Sequence, residues 1–140
     1  MRGRSGFSLV ETVAVAGLAA VVAGMAAVGA AELLRGARLA GACRTLGASL
    51  RLARGQALGG LGDVVVRFDA AAGVWEVVDG AGARLVRHAL PPGVAFASLP
   101  VRARIAFGAL GTAENGTIAL AAGARARRVV VNQRGRVRLA

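Results

Sequence analysis

Gly6-Phe7-Ser8-Leu9-Val10-Glu11 leads into the longest uncharged stretch of the chain, the 20 residues from Thr12 to Ala31. A helix of this length spans ~30 Å, the thickness of a bilayer's hydrocarbon core. A secretory signal peptide has a shorter apolar region of ~7–15 residues and does not carry an acid such as Glu11. A soluble core helix is disfavoured, because the segment is apolar on every face and the remaining chain is too short to surround it. The stretch therefore predicts a transmembrane anchor.

The charges around this stretch predict its orientation. Arg2 and Arg4 precede it and should stay on the cytoplasmic side, which places the bulk of the chain beyond the membrane. Arg35 and Arg38 follow the stretch and weaken this asymmetry without reversing it. An acid inside the bilayer costs about 2.5–3.5 kcal/mol on insertion scales. Glu11 is therefore either solvated at the interface or paired with an opposite charge.

Composition excludes several classes of function. The 140 residues contain 18 basic residues, all arginine, against 7 acids, so the formal charge is +11. A single Cys excludes a disulfide framework, and a single His excludes a multi-histidine metal centre. The glycine-rich stretches lack the spacing of a phosphate-binding loop. We expect no cofactor and no metal, and a role in binding or assembly, not an enzyme.

The segment from Gly6 to Glu11, with the apolar run behind it, resembles the class III signal of type IV pilins and type II secretion pseudopilins. The resemblance implies that a prepilin peptidase cleaves between Gly6 and Phe7 and N-methylates Phe7. Glu11 would then be the fifth mature residue, which in this family pairs with the terminal amine of a neighbouring subunit. Such pairing makes a buried carboxylate tolerable.

A second periodic pattern follows the apolar stretch. Residues at alternating spacings of four and three fall on one helical stripe: Leu39, Cys43, Leu46, Leu50, Ala53 and Ala57. Arg44 and Arg51 fall on a different face. The pattern predicts a helix continuing from about Phe7 to Ala57, ended by the glycines of residues 59–62, with Cys43 as a packed thiol.

The remaining sequence predicts eight short strands separated by turn residues. They are Asp63–Asp69, Val74–Asp79, Arg84–Ala89, Val94–Ser98, Arg104–Phe107, Thr117–Ala121, Arg127–Gln133 and Arg136–Leu139. Asn115-Gly116 is the clearest tight-turn dipeptide. The predicted fold class is α+β, a long N-terminal transmembrane and amphipathic helix packed on a small antiparallel β-sheet head. The predicted divisions are 1–6 (cleaved leader), 7–31 (transmembrane half), 32–62 (amphipathic half and linker) and 63–140 (β head).

The head also resembles a known family, the GspH/FimT pseudopilin domain, over roughly residues 43–140. The matching pieces are Ala53–Ala57, Val64–Val66, Val74–Val77, Leu90–Val94, Ile105–Phe107 with Gly111, Val129–Asn132 and Gly135–Arg138. The resemblance implies a minor pseudopilin or pilin that acts in filament (tip) assembly and protein secretion. Its implied partners are the prepilin peptidase and other pilins. Its implied location is the bacterial inner membrane, single-pass, with the head in the periplasm.

Six arginines follow residue 124, and no acid follows Glu114. On a strand, Arg136 and Arg138 point to one side and lie ~6–7 Å apart, a spacing that suits successive phosphates. Gly135-Arg136-Val137-Arg138 resembles the DNA-contact motif of FimT-type minor pilins. This implies, as an alternative function, non-specific binding of double-stranded DNA for uptake in natural transformation, through Arg136 and Arg138 with Arg134 and Arg128. The alternative to DNA binding is that these arginines form a solvated basic surface of a secretion pseudopilin. The alternative to a filament subunit is a single-span anchored β domain outside any filament.

Overall fold

The structure, a computed structural model of the chain, describes residues 8–140. Helix α1 occupies Leu9–Gln56, and a π-helical turn follows at Ala57–Leu61. Gly60 leaves helical geometry with a φ of 96°, so the helix ends in the predicted glycine segment. The predicted start at Phe7 lies outside the described residues. The chain divides into two compact units between Leu34 and Arg35, while the predicted divisions at residues 6, 31 and 62 stay predictions.

The first unit consists, in its described part, of helical residues with no buried face. Every residue from Ser8 to Ala31 is exposed. The large apolar side chains exposed here include Leu9, Val10, Val13, Val15, Leu18, Val21, Val22, Met25 and Val28. Within residues 8–140, α1 with its π-helical extension is the one helix whose length and composition suit a membrane span. A helix that is apolar all round requires lipid or other apolar helices around it.

The second unit contains the rest of α1 and eight strands in two antiparallel sheets. The strands are β1 (Val64–Asp69), β2 (Val74–Val78), β3 (Arg84–Ala89), β4 (Ala95–Ser98), β5 (Arg104–Phe107), β6 (Gly116–Ala122), β7 (Arg125–Val131) and β8 (Val137–Leu139). One sheet, sheet A, has the order β3-β2-β1-β5, and the other, sheet B, has the order β4-β6-β7-β8. All eight predicted strands are present. The predicted fold, a long helix packed on an antiparallel β head, is confirmed, although the head contains two four-stranded sheets.

The core lies between the helix and both sheets. All six residues of the predicted helical stripe, from Leu39 to Ala57, are buried. Alternation in β1 buries Val64, Val66 and Phe68, and the ring of Phe68 meets Phe96 of β4 edge-on at 5.8 Å between centroids. This contact joins the two sheets. The prediction of a packed Cys43 thiol is confirmed; burial raises its pKa, and the charge of Arg127 partly offsets that effect.

One buried polar contact fastens the helix to sheet A. Trp75 Nε1 of β2 donates to Ser49 Oγ of α1 at 3.0 Å, and Ser49 Oγ donates to the Thr45 carbonyl at 3.1 Å. Trp75 is 1% exposed and its ring lies 5.3 Å from that of His88. The indole therefore fills the core and orients the helix.

The prediction of a tight turn at Asn115-Gly116 is wrong. Gly116 is the first residue of β6 and pairs with Val131. The turn that follows β5 lies earlier, where the amide of Gly111 donates to the Gly108 carbonyl at 2.8 Å. A hairpin turn at Asn115-Gly116 would pair β5 with β6, but these strands belong to different sheets.

The predicted bounds of β7 are also displaced by two residues. A turn at Gly123-Ala124 allows Arg125 to pair with Ala122, so the strand begins before Arg127. At the other end, β7 stops at Val131, and Asn132 begins the next turn, in which its side chain binds two backbone amides.

Candidate functional site: a basic hairpin beside the helix

The turn between β7 and β8 is held by the side chain of Asn132. Its Oδ1 accepts hydrogen bonds from the amides of Arg134 at 3.1 Å and Arg136 at 2.9 Å. The amide of Gly135 donates to the Asn132 carbonyl at 2.9 Å. An Asn side chain that binds amides two and four residues ahead fixes a turn without help from other elements. The backbone that carries Arg134 and Arg136 is therefore preorganised.

Gly135 is required by the packing of three segments. Its φ is +68°, and a Cβ there would collide with the Gly111 carbonyl oxygen and lie 2.8 Å from Arg54 Nε. Arg54 itself, on α1, donates from Nε to that same carbonyl at 3.2 Å. The glycine of the Gly-Arg-x-Arg motif thus has a structural role: it lets the turn approach the helix and the turn after β5.

The β7–β8 hairpin, residues 125–140, presents arginines on the outer face of sheet B. Arg138 pairs with Val130, and Arg128 exchanges two backbone hydrogen bonds with Ala140, each 2.8 Å long. Opposite residues of antiparallel strands share a face, and Val129 and Val131 fill the inner one.

Three of the four predicted DNA-binding arginines therefore lie together and exposed: Arg128, Arg136 and Arg138. Arg134 is also exposed but lies on the turn, where it borders a shallow groove with Asn115 and Asn132.

Two further arginines of β7 point to the helix side. Arg125 and Arg127 share the strand face of Val129, but lie beyond the core. Arg125 Nη1 comes within 2.7 Å of the position that a Cβ on Gly36 would take. Arg127 borders a groove with Cys43 and Arg44. Strand alternation places Arg127 on this face from the sequence, but Arg125 was missed because the predicted strand began at Arg127.

The charges of the second unit are segregated along the chain. Residues 63–114, which include all of sheet A, contain five arginines and five acids. Residues 35–62 contain five arginines, residues 115–140 contain six, and neither segment contains an acid. The ion pairs within 63–114 join Arg84 to Glu76 at 3.7 Å, and Arg104 and Arg102 to Glu114 at 3.6 and 4.0 Å.

Among the described residues, the hairpin arginines 128, 134, 136 and 138 join no ion pair. Five from the helix and six from the last segment account for the whole charge of +11. The exposed guanidinium groups of the hairpin can bind phosphate or carboxylate groups bidentately. Across residues 8–140, no group of three His, Cys, Asp or Glu side chains could hold a metal ion.

The residues of the predicted processing and assembly site lie at the other end of the chain. Gly6 and Phe7 lie outside the described residues. Glu11 lies in the first turn of α1 and is exposed. Their predicted roles stay predictions.

Residues 42–135 match the sequence profile of the family described as Type II transport protein GspH. The chain belongs to the GspH family. The predicted family, and the predicted role of a minor pseudopilin or pilin, are confirmed at this level. The match ends at Gly135, so Arg136 and Arg138 fall outside it. Comparison with curated proteins gives no significant match.

Solved structures with a similar fold come from both apparatuses. The type IV minor pilin FimU of Pseudomonas aeruginosa is 21% identical, with a TM-score of 0.62 over 73% of this chain and 87% of that one. The minor pseudopilin EpsH of the type 2 secretion system of Vibrio cholerae is 15% identical, with a TM-score of 0.61 over 74% of this chain and 96% of that one. At these identities the likeness shows the pilin-like fold of a GspH-family head. Proteins of this family are structural and assemble with other pilins or pseudopilins in filaments, and the long apolar helix indicates membrane anchoring.

Proposed function

We propose that this GspH-family chain is a minor subunit of a type II secretion pseudopilus or type IV pilus, which acts by assembly and not by catalysis. The observation that carries the proposal is the family match over residues 42–135, joined in one chain to an apolar helix exposed on all sides. Gly17, Gly24 and Gly29 leave open space where side chains would be. Small residues of this kind let membrane helices approach closely, so the segment suits both lipid and a bundle of equivalent helices.

Processing by a prepilin peptidase is the proposed first step. Cleavage between Gly6 and Phe7, with N-methylation of Phe7, would leave the apolar segment at the mature N-terminus. The support is the resemblance of the segment from Gly6 to Glu11 to the pilin signal. Arg2 and Arg4 would keep that end cytoplasmic, with the anchor in the inner membrane and the head in the periplasm.

Glu11 would then pair with the amine of Phe7 on a neighbouring subunit. An unpaired carboxylate at membrane depth is costly, and an opposite charge beside it removes most of that cost. The pair would fix the axial register between packed helices, because each subunit has one amine and one matching acid. In support of this role, Glu11 lies in the first turn of α1 and is exposed, so a neighbouring subunit can reach it.

The test is incorporation of Glu11→Gln into filaments, with Glu32→Gln, which removes the other acid of α1, as the matched control. We expect Glu11→Gln to reach the membrane at the parent level but to fall ~10-fold or more in the filament fraction, because breaking a buried charge pair costs several kcal/mol. The control should assemble normally. Unchanged incorporation of Glu11→Gln would refute the pairing role.

We also propose, as a second candidate, non-specific binding of double-stranded DNA during uptake. The observation that favours it is the segregation of charge, with three exposed arginines on one face of the β7–β8 hairpin and no acid after Glu114. Binding to the phosphate backbone would be independent of sequence and sensitive to salt.

The full chain in a neutral detergent should shift duplexes of unrelated sequence at low salt. The double variant R136Q/R138Q should bind more weakly, and its salt slope should shrink by ~1 per lost phosphate contact. A variant that binds as tightly as the parent would show that these two arginines are not the site.

A further inference from the structure

We infer that the DNA site has a second wall, formed by Arg44 and Arg51 of α1. This inference rests on the proposed DNA binding and extends it from the β7–β8 hairpin to the helix beside it. In this arrangement the duplex backbone contacts guanidinium groups of both elements along their seam.

The helix and β8 lie side by side in the second unit. Leu139 Cδ2 of β8 lies 3.6 Å from the position that a Cβ on Gly47 would take, and Arg51 Nη2 lies 3.7 Å from the same position. Gly47 is buried there, so the side chain of Leu139 packs directly on the helix at this point. The guanidinium of Arg51 therefore extends along the seam towards β8.

Arginines of the helix and of the hairpin line two shared grooves along this seam. One groove is lined by Arg51 and by Gly135, Arg136 and Arg138. The other is lined by Arg44 of the helix and by Arg127 and Arg128 of β7, together with Ala140. Each groove thus has one basic wall from α1 and one from the hairpin.

The spacing along the helix suits an extended polyanion. Arg44 and Arg51 are seven residues apart, which puts them ~10.5 Å apart along one face. Both are exposed, and among the described residues neither joins an ion pair. Arg44 Nε donates to the Ala40 carbonyl at 3.3 Å, which leaves its terminal nitrogens available. A small anion could meet only part of this array, whereas a duplex backbone can follow it.

Arg54 is a positioning residue in the same groove. It is half-buried, and its Nε is engaged by the Gly111 carbonyl beneath Gly135. Its guanidinium holds the motif turn against the helix. We therefore assign the contacts of the helix wall to Arg44 and Arg51, and not to Arg54.

The experiment compares three double variants of the full chain in neutral detergent, titrated with a 30-base-pair duplex over a range of salt concentrations. R44Q/R51Q removes the helix wall, R136Q/R138Q removes part of the hairpin wall, and R67Q/R87Q is the control. The control removes the same charge from exposed positions of sheet A, on either side of Glu76. We expect R44Q/R51Q to reduce the salt slope by ~0.9 per lost contact, so by nearly two, as R136Q/R138Q does. The control should keep the parent slope.

The outcomes separate the inference from the function on which it rests. If the duplex binds and only R136Q/R138Q weakens it, the helix wall is refuted and hairpin binding stands. If R44Q/R51Q and the control lose affinity equally, the effect is that of net charge, and the helix wall is again refuted. If the parent does not bind duplex at low salt, the proposed DNA function itself fails. If the parent chain binds anionic vesicles but not duplex DNA, the proposed DNA function also fails.

Discussion

At the residue scale, the contact between Ser49 and Trp75 is the one that most directly fixes the helix on the head. Ser49 is 4% exposed, and the indole N–H of Trp75 finds its acceptor there. A buried donor that loses its partner costs about 1–3 kcal/mol. The Ser49 hydroxyl is thus the buried polar partner that the helix offers to sheet A, and the stability of the head depends in part on it.

Ser49→Ala should lower the free energy of unfolding of the head by about 1–3 kcal/mol. Trp75 is the only tryptophan, so its fluorescence during urea unfolding in neutral detergent reports the change. The matched control is Ser98→Ala, an exposed strand serine whose replacement should stay within about 0.5 kcal/mol of the parent. Equal stability of the two variants would mean that the hydrogen bond contributes nothing.

Gly135 combines backbone strain with a steric limit, and a matched glycine separates the two. Gly123 has a similar φ of +61°, but open space surrounds it, whereas a Cβ on Gly135 would collide with Gly111. Gly135→Ala should destabilise the head by more than Gly123→Ala, which carries only the strain of about 1 kcal/mol. Urea unfolding followed by Trp75 fluorescence measures the difference. Equal losses would contradict the packing of this turn against Arg54.

At the element scale, patterns that depend on one element alone could be predicted, and patterns that depend on pairing could not. The stripe from Leu39 to Ala57 was predictable because helical periodicity decides which residues face the core. The turn at Asn115-Gly116 was not, because the choice between a hairpin and a change of sheet depends on partners distant in sequence. The bounds of β7 were missed for a similar reason. Gly123 and Asn132 set its ends, and neither stands out in the sequence.

The candidate site divides in the same way. Alternation along the last predicted strand, Arg136–Leu139, was enough to place Arg136 and Arg138 on one side. Placing Arg44 and Arg51 beside them required the contact between Gly47 and Leu139, which no local pattern indicates. The structural reason for Gly135 likewise lies in Gly111 and Arg54, both distant in sequence.

The anchor segment gives an element-scale prediction. Replacing Val15 and Val22 by Arg adds about 5–7 kcal/mol to insertion, since each central arginine costs about 2.5–3.5 kcal/mol. Most of the variant should then be released from membranes by alkaline carbonate. The control V101R/L110R changes two apolar residues of the head that are 106% and 88% exposed, and it should stay with the membrane like the parent. Retention of V15R/V22R would contradict the assignment of residues 12–31 as the span.

At the scale of the whole molecule, the chain combines an apolar segment, suited to lipid or to other helices, with a charged head. The excess positive charge lies on residues 35–62 and 115–140. Residues 63–114 contain five arginines and five acids, so this segment contributes none of the +11. The helix beyond residue 34 and the β7–β8 hairpin contribute all of it. Such segregation concentrates the electrostatic field on one surface, where it can attract a polyanion.

The central claim is that the chain becomes a filament subunit only after its leader is removed. Intact-mass and N-terminal peptide mass spectrometry of the membrane form, from cells with an active prepilin peptidase, tests this most directly. We predict a mature chain that begins at Phe7, lighter by the first six residues and heavier by one methyl group. A membrane form that still begins at Met1 in those cells would contradict the claim.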